Sequence, residues 1–166
     1  MLQLATFPEA ELICADDPVR PTIPVSWRIE GHHREVYFAR LNDFFEMFPE
    51  MIADSVGACL CLAYLQEIPT TEEELMTIPE GPEFAIFYSV WSNRKGQGKK
   101  IVNDVCKHLK KQMIMSNRYT RYVTMSPKTK MAKNFHLGNG ALLLQENPLT
   151  YNFEYLADRK KGSKYD

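Results

Sequence analysis

The chain has 166 residues, 45% of them apolar and 25% charged, which suits one globular domain with a sizeable core. No apolar run reaches the roughly 18–20 residues that span a membrane, and the amino terminus lacks a secretory pattern, so a soluble, cytoplasmic protein without a membrane partner is expected. The formal net charge of −1 conceals an asymmetry: residues 1–83 hold 16 acids and 4 bases, whereas residues 92–133 hold 12 bases and one acid, Asp104. A basic middle of this kind points to a polyanion, either a nucleotide-type cofactor or a nucleic acid.

Residues 1–17 hold a short apolar start and end on Asp16-Asp17. Pro18, Pro21 and Pro24 exclude a helix interior and predict an extended approach to Ser26-Trp27-Arg28-Ile29. His32 and His33 are adjacent, so in a strand they point apart, and with no third ligand nearby no metal site is expected. Arg34–Leu41 suits a strand or a helix, with Val36, Tyr37 and Phe38 favouring strand. Phe44, Phe45, Met47, Phe48, Met51 and Ile52 surround Pro49 and read as core, with an acyl pocket as the alternative. Val56–Leu65 is apolar on both parities and predicts a central strand, with Cys59 and Cys61 filling one face. Together with Cys14 and Cys106 these show no C-x-x-C pairing, so neither a zinc site nor a disulfide framework is indicated. Thr71 and Glu74 have the spacing of a capping box for a short helix.

Phe84–Gln112 is the most informative stretch. Phe84–Trp91 has the composition of a buried strand, and it breaks at Ser92–Gly98. Ile101, Val102, Val105, Leu109 and Met113 then recur at helical spacing. A strand leading through a glycine turn into a helix start gathers free backbone N–H groups and the positive end of the helix dipole, which suits a phosphate. Gly96 and Gly98 permit close approach and are expected to take up positive φ, and Arg94, Lys95, Lys99 and Lys100 add mobile positive charge. Tyr119–Met125 reads as a further strand ended by Ser126-Pro127. Lys128–Leu137 reads as a short basic helix with Met131 and Phe135 on one face, stopped by Gly138 or Gly140. Ala141–Gln145 and Tyr151–Leu156 form a predicted hairpin through Asn147-Pro148, and the charged tail Arg159–Asp166 is expected to be disordered. This order predicts a single α/β (α+β) domain over residues 1–158 with a tail at 159–166.

The pattern resembles the GNAT acyltransferase superfamily, whose hallmark is Gln/Arg-x-x-Gly-x-Gly/Ala at a helix start after the fourth strand. Asn93-Arg94-Lys95-Gly96-Gln97-Gly98 matches it, with Asn93 at the leading position and Ile101-Val102 where the family places paired leucines. The second landmark, Ala-x-x-x-Tyr-x-x-x-Gly-Phe, is matched by Ala132–Ala141 with His136 at the Tyr position. Ala85–Ser89, Met125-Ser126-Pro127 and Asn134–Ala141 are closer still to the catalytic domain of malonyl-CoA decarboxylase, itself GNAT-like, whose Ser–His pair falls on Ser126 and His136. That likeness covers roughly Pro18 to Tyr155, and only about 80 residues precede the Ala85 strand, too few for the helical domain that comes first in that family.

The resemblance implies a mixed, mostly antiparallel sheet flanked by helices, with the strands of Phe84–Trp91 and Tyr119–Met125 splayed beside Gly96–Gly98. It implies acetyl-CoA or another acyl-CoA as substrate and no metal. The cofactor would be held by Tyr88 and Val90 at the pantetheine, and by Asn93, Arg94, Lys95, Gly96, Gln97, Gly98 and Lys99 at the pyrophosphate. His136 would protonate the leaving thiolate or assist an acceptor amine, with Ser126 within a hydrogen bond or one water of it. As a site residue it is expected to carry little packing. The acceptor pocket would come from Arg34–Asp54, and the acceptor and oligomeric state stay open. A decarboxylase-like lyase using the same pair is the alternative. A nucleic-acid-binding module ranks third, since only Tyr119 and Tyr122 interleave aromatics with the bases.

Overall fold

The computed structural model describes residues 2–41, 55–116 and 120–156. In chain order these form β1 (Leu2–Leu4), α1 (Phe7–Ile13), a 3-10 turn (Cys14–Asp16), α2 (Val25–Arg28), β2 (Arg34–Arg40), β3 (Val56–Leu65) and α3 (Glu72–Leu75). There follow β4 (Phe84–Ser92), α4 (Gln97–Ser116), β5 (Arg121–Thr124), β6 (Ser126–Pro127), α5 (Lys130–Gly138), β7 (Leu142–Glu146) and β8 (Thr150–Tyr155).

The strands make one sheet in the order β1-β2-β3-β4-β5-β8, with β6 and β7 also paired to β8. The β4–β5 pair is parallel and the others are antiparallel. β3 and β4 divide their side chains between two cores, which is why both parities of each are apolar. Cys59, Cys61, Ile86 and Tyr88 pack with Ala10, Ile13 and Phe38 under α1 and α2. Leu60, Leu62, Ala85 and Phe87 pack with Ile101, Val102, Val105 and Leu109 of α4.

The parallel pair positions the site. Its register runs from Phe84↔Arg121 to Phe87↔Thr124, and the last rung is the Met125 N–H donating to Phe87 O at 3.0 Å. Beyond it β4 continues to Ser92, while the other strand goes on as β6 and pairs with β8 through Ser126↔Tyr151. The two strands therefore part after Phe87, as the resemblance implied.

Local signals account for most elements. Thr71 Oγ1 accepts from the Glu74 N–H at 3.1 Å, while the Glu74 carboxylate turns to the Thr70 N–H and hydroxyl, so the predicted box forms only by half. Phe7–Ile13, to which the sequence reading assigned no element, is helical, capped by a box between Thr6 and Glu9. Two expectations are corrected. Val25–Arg28 is a helical turn started by Pro24, whose fixed φ suits a helix start. Ser126-Pro127 is not a plain strand stop: β5 ends at Thr124, and Ser126-Pro127 forms its own short strand, β6, paired with β8. Arg34–Arg40 is a strand. The Phe44–Ile52 cluster, the rest of the predicted acceptor region to Asp54, Tyr119 and the tail at 159–166 lie outside the described residues.

Candidate active site

The turn between β4 and α4 is built by Gly96, at φ +83°, a conformation that side-chain-bearing residues rarely adopt. The Gln97 N–H donates to Arg94 O at 3.2 Å, which closes the turn into the helix. First-turn amides such as those of Gly98 and Lys99 have no acceptor within a helix, and the dipole places partial positive charge there. Gly98 lies within α4 and does not take the positive φ expected of it, so its role is different. A Cβ there would lie 3.2 Å from Phe135 Cε1 and 3.5 Å from Ser92 Oγ, so the missing side chain lets α4 abut α5. Arg94, Lys95 and Lys99 are exposed around the turn, and Lys100 pairs with Asp104 at 2.8 Å. Asn93 is exposed, yet its Nδ2 donates to Val56 O at 3.1 Å and its N–H to Gly57 O at 2.8 Å, tying the turn to β3.

A cavity of about 590 Å³ opens where the strands part. Tyr88–Ser92 and Gly98 line it together with Met125–Pro127, and α5 contributes Thr129, Met131, Ala132, Phe135 and His136. Of the residues singled out in the sequence, Tyr88, Val90, Gly98, Ser126 and His136 thus meet on one cavity. Asn93, Arg94, Lys95, Gly96, Gln97 and Lys99 are not among its lining residues; they form the turn and helix start that lead up to Gly98.

His136 is brought to the cavity by α5, whose first turn is capped by Thr129 Oγ1 accepting from the Ala132 N–H at 3.1 Å. Its Nδ1 lies 2.7 Å from the Tyr155 hydroxyl. The ring stacks on Phe153 at 5.2 Å between centroids and meets Phe135 edge-on at 5.0 Å. Burial lowers its pKa from 6.5 to about 4, so the imidazole is neutral at neutral pH. The expectation that this residue carries little packing is overturned, because it is only 5% exposed and wedged among aromatic rings. Ser126 is also buried, and its hydroxyl donates to Thr124 Oγ1 at 2.8 Å, which in turn accepts from the Phe153 N–H at 3.1 Å. His136 and Ser126 therefore hydrogen-bond to separate partners while facing the same space.

The sequence reading missed the groups that shape the other side of the cleft. Arg20 Nε donates to Tyr88 O at 3.3 Å and Nη2 to Met125 O at 2.9 Å, satisfying one carbonyl from each parting strand. Asp17 is buried. Its Oδ2 accepts from Arg28 Nη1 at 2.6 Å and from Ser89 Oγ at 2.7 Å, and its Oδ1 accepts from the N–H groups of Val19 and Arg20. This carboxylate pins the 17–20 segment against β4. Nothing in the acidic run at Asp16-Asp17 distinguished it from a surface pair.

Among the described residues, one group has ligand atoms close enough to share a metal ion: Cys14, Cys59 and Cys61, mutually within 4.8 Å in the core under α1. His32 and His33 instead line a second cavity of about 290 Å³ with Glu35 and Tyr64. No helix among the described residues is long and apolar enough to cross a membrane.

No protein-family model matches the chain, and no curated protein matches it. Solved structures do. A malonyl-CoA decarboxylase from Agrobacterium vitis is similar at TM-score 0.69 and 14% identity over 93% of this chain and 60% of that one. AtaTR bound with AcCoA is similar at TM-score 0.58 and 12% identity over 93% of this chain and 92% of that one. An N-acetyltransferase from Staphylococcus aureus Mu50 is similar at TM-score 0.53 and 8% identity, covering 93% and 100%. The chain spans about 60% of the length of the decarboxylases it matches. The fold is GNAT-like, a mixed α/β domain on a mostly antiparallel sheet.

Proposed function

We propose that the protein binds an acyl-CoA thioester between the parting strands and transfers its acyl group to an amine. The observation that carries this reading is the cavity that joins the end of β4 parted from β5, Gly98 at the start of α4, Ser126 and His136. Past the last rung at Phe87, the backbone near Tyr88 and Val90 is free of β5; Tyr88 O already accepts from Arg20, and the backbone near Val90 suits the amides of a pantetheine arm. The turn at Gly96–Gly98, with Arg94, Lys95 and Lys99, suits the pyrophosphate, and Asn93 supports it by anchoring the turn to β3. The thioester carbon then lies towards Ser126 and His136. The amine nitrogen bonds to that carbon, the carbon–sulfur bond breaks, and the proton lost by nitrogen ends on the CoA sulfur. The products are an amide and free CoA. Ser126, whose proton is committed to Thr124, offers oxygen lone pairs as an acceptor.

Decarboxylation of malonyl-CoA is the second reading, favoured by Ser126 and His136 facing one cavity and by the similarity to malonyl-CoA decarboxylases. Incubation with acetyl-CoA or malonyl-CoA, with and without a panel of amines, separates the two. Free CoA and a modified amine support transfer. Acetyl-CoA and carbon dioxide formed from malonyl-CoA alone support decarboxylation. Failure of acetyl-, malonyl- and free CoA at millimolar concentration to shift the melting temperature would remove both.

A further inference from the structure

The ring of His136 has two nitrogens, and the structure engages only one. Nδ1 faces the Tyr155 hydroxyl at 2.7 Å, and Asn139 Nδ2 donates to that same hydroxyl oxygen at 3.3 Å. A phenol has one proton to give. With its oxygen accepting from Asn139, that proton is directed to Nδ1. The distance agrees, since oxygen donors form bonds near 2.7–2.8 Å and N–H donors to oxygen near 2.9–3.0 Å. An accepting Nδ1 carries no proton, so in a neutral imidazole the proton sits on Nε2. Phe153 and Phe135 hold the ring in its buried, neutral state. His136 lines the cavity with Nδ1 already engaged, leaving Nε2 as the nitrogen for a substrate.

We propose that Tyr155 and Asn139 are positioning residues that fix His136 as its Nε2–H tautomer, so that it presents a hydrogen-bond donor to the cavity. The proposal rests on the acyl-CoA reading for the group that receives the bond. A neutral imidazole is a poor source of protons and a good donor to developing negative charge. Both enzyme readings develop such charge on the thioester oxygen, as a tetrahedral oxyanion in transfer and as an enolate in decarboxylation. His136 then stabilises that oxygen in place of protonating the thiolate. The acceptor must arrive as a free amine, because no lone pair of the ring is offered to it.

Asn139 supplies the test. Its Oδ1 is buried without a partner. A flipped amide would put that oxygen on Tyr155, claim the phenolic proton and force Nδ1 to become the donor. Asn139→Asp imposes that arrangement permanently. Long-range proton–nitrogen NMR on protein labelled with 15N-histidine reads the tautomer directly, with His136 assigned by the signals lost in His136→Leu. The native protein should show an unprotonated Nδ1 and a protonated Nε2. In Asn139→Asp the two should exchange, and in Tyr155→Phe the pattern should become mixed. Tyr155→Phe should also lower kcat roughly 10- to 100-fold at constant KM, where a merely structural loss would not shift the tautomer. A protonated Nδ1 in the native protein overturns the proposal, and this measurement decides it even where a variant does not fold. A protonated Nε2 in a protein that turns over no acyl-CoA supports the assignment and removes the acyl-transfer reading instead.

Discussion

At His136, burial lowers the pKa to about 4 against 6.5 for the exposed side chain, and the sign of its effect on stability follows. As pH falls, the unfolded chain takes up this proton first. The folded state is thus at no disadvantage above pH 6.5 and loses up to about 3 kcal/mol between pH 6.5 and 4. Urea unfolding at pH 7.0, 5.5 and 4.5 should show this component in the native protein and not in His136→Leu. Equal losses in both would assign acid sensitivity to other groups. The same variant bears on turnover. Removing a donor to an oxyanion should reduce kcat about 10²–10³-fold while the melting shift with acyl-CoA is kept. His136→Gln, with an amide N–H near the position of Nε2, should recover part of that loss. Full activity in His136→Leu would exclude the residue from the chemistry.

At the level of elements, the turn before α4 and the segment before α2 hold the cleft from its two ends. A Cβ added at Gly96 meets no atom within 4 Å, so a substitution there strains φ without a clash at that atom. Gly96→Asp should therefore keep the fold at a cost on the order of 1 kcal/mol. It should abolish the acyl-CoA melting shift, because a carboxylate then stands where the pyrophosphate is read to bind. A retained shift would move that site elsewhere. The Asp17–Arg28 pair has the opposite character, since Arg28 is 1% exposed and bonds to Asp17 at 2.6 Å. Asp17→Ala leaves a buried guanidinium unpaired and should cost about 3–5 kcal/mol in urea unfolding. It also frees Ser89 on β4 and the Val19 and Arg20 amides. A cost below about 1 kcal/mol would mean that water replaces the carboxylate.

For the whole molecule, part of the basic middle of the chain gathers at one place beside the cleft. The bases at residues 94–100 surround the start of α4, next to the cavity that is read as the CoA site. A ligand that binds only the folded state should stabilise it by about 2.7 kcal/mol at one hundred times its dissociation constant. Chemical unfolding with and without acetyl-CoA or malonyl-CoA reads that gain. A polynucleotide producing the same gain, with a steep loss on adding salt, would favour the nucleic-acid reading.

Read alone, the sequence determined those parts whose cause is local. The apolar parities of Val56–Leu65 and Phe84–Trp91, the helical period after Gly98 and the Asn147-Pro148 turn each act within a few residues. They therefore leave a periodic trace. The glycine turn was legible from its own residues, Ser126 and His136 because resemblance marked them, and the fold then set Ser126, His136 and Gly98 on one cavity. Only the tertiary structure decided what surrounds them. Ser89 meets Asp17 across 72 positions, Arg20 meets Met125 across 105, and Tyr155 meets His136 across 19. Hydrogen bonds between such distant residues depend on strand order and on where two strands part. No composition or spacing along the chain encodes them.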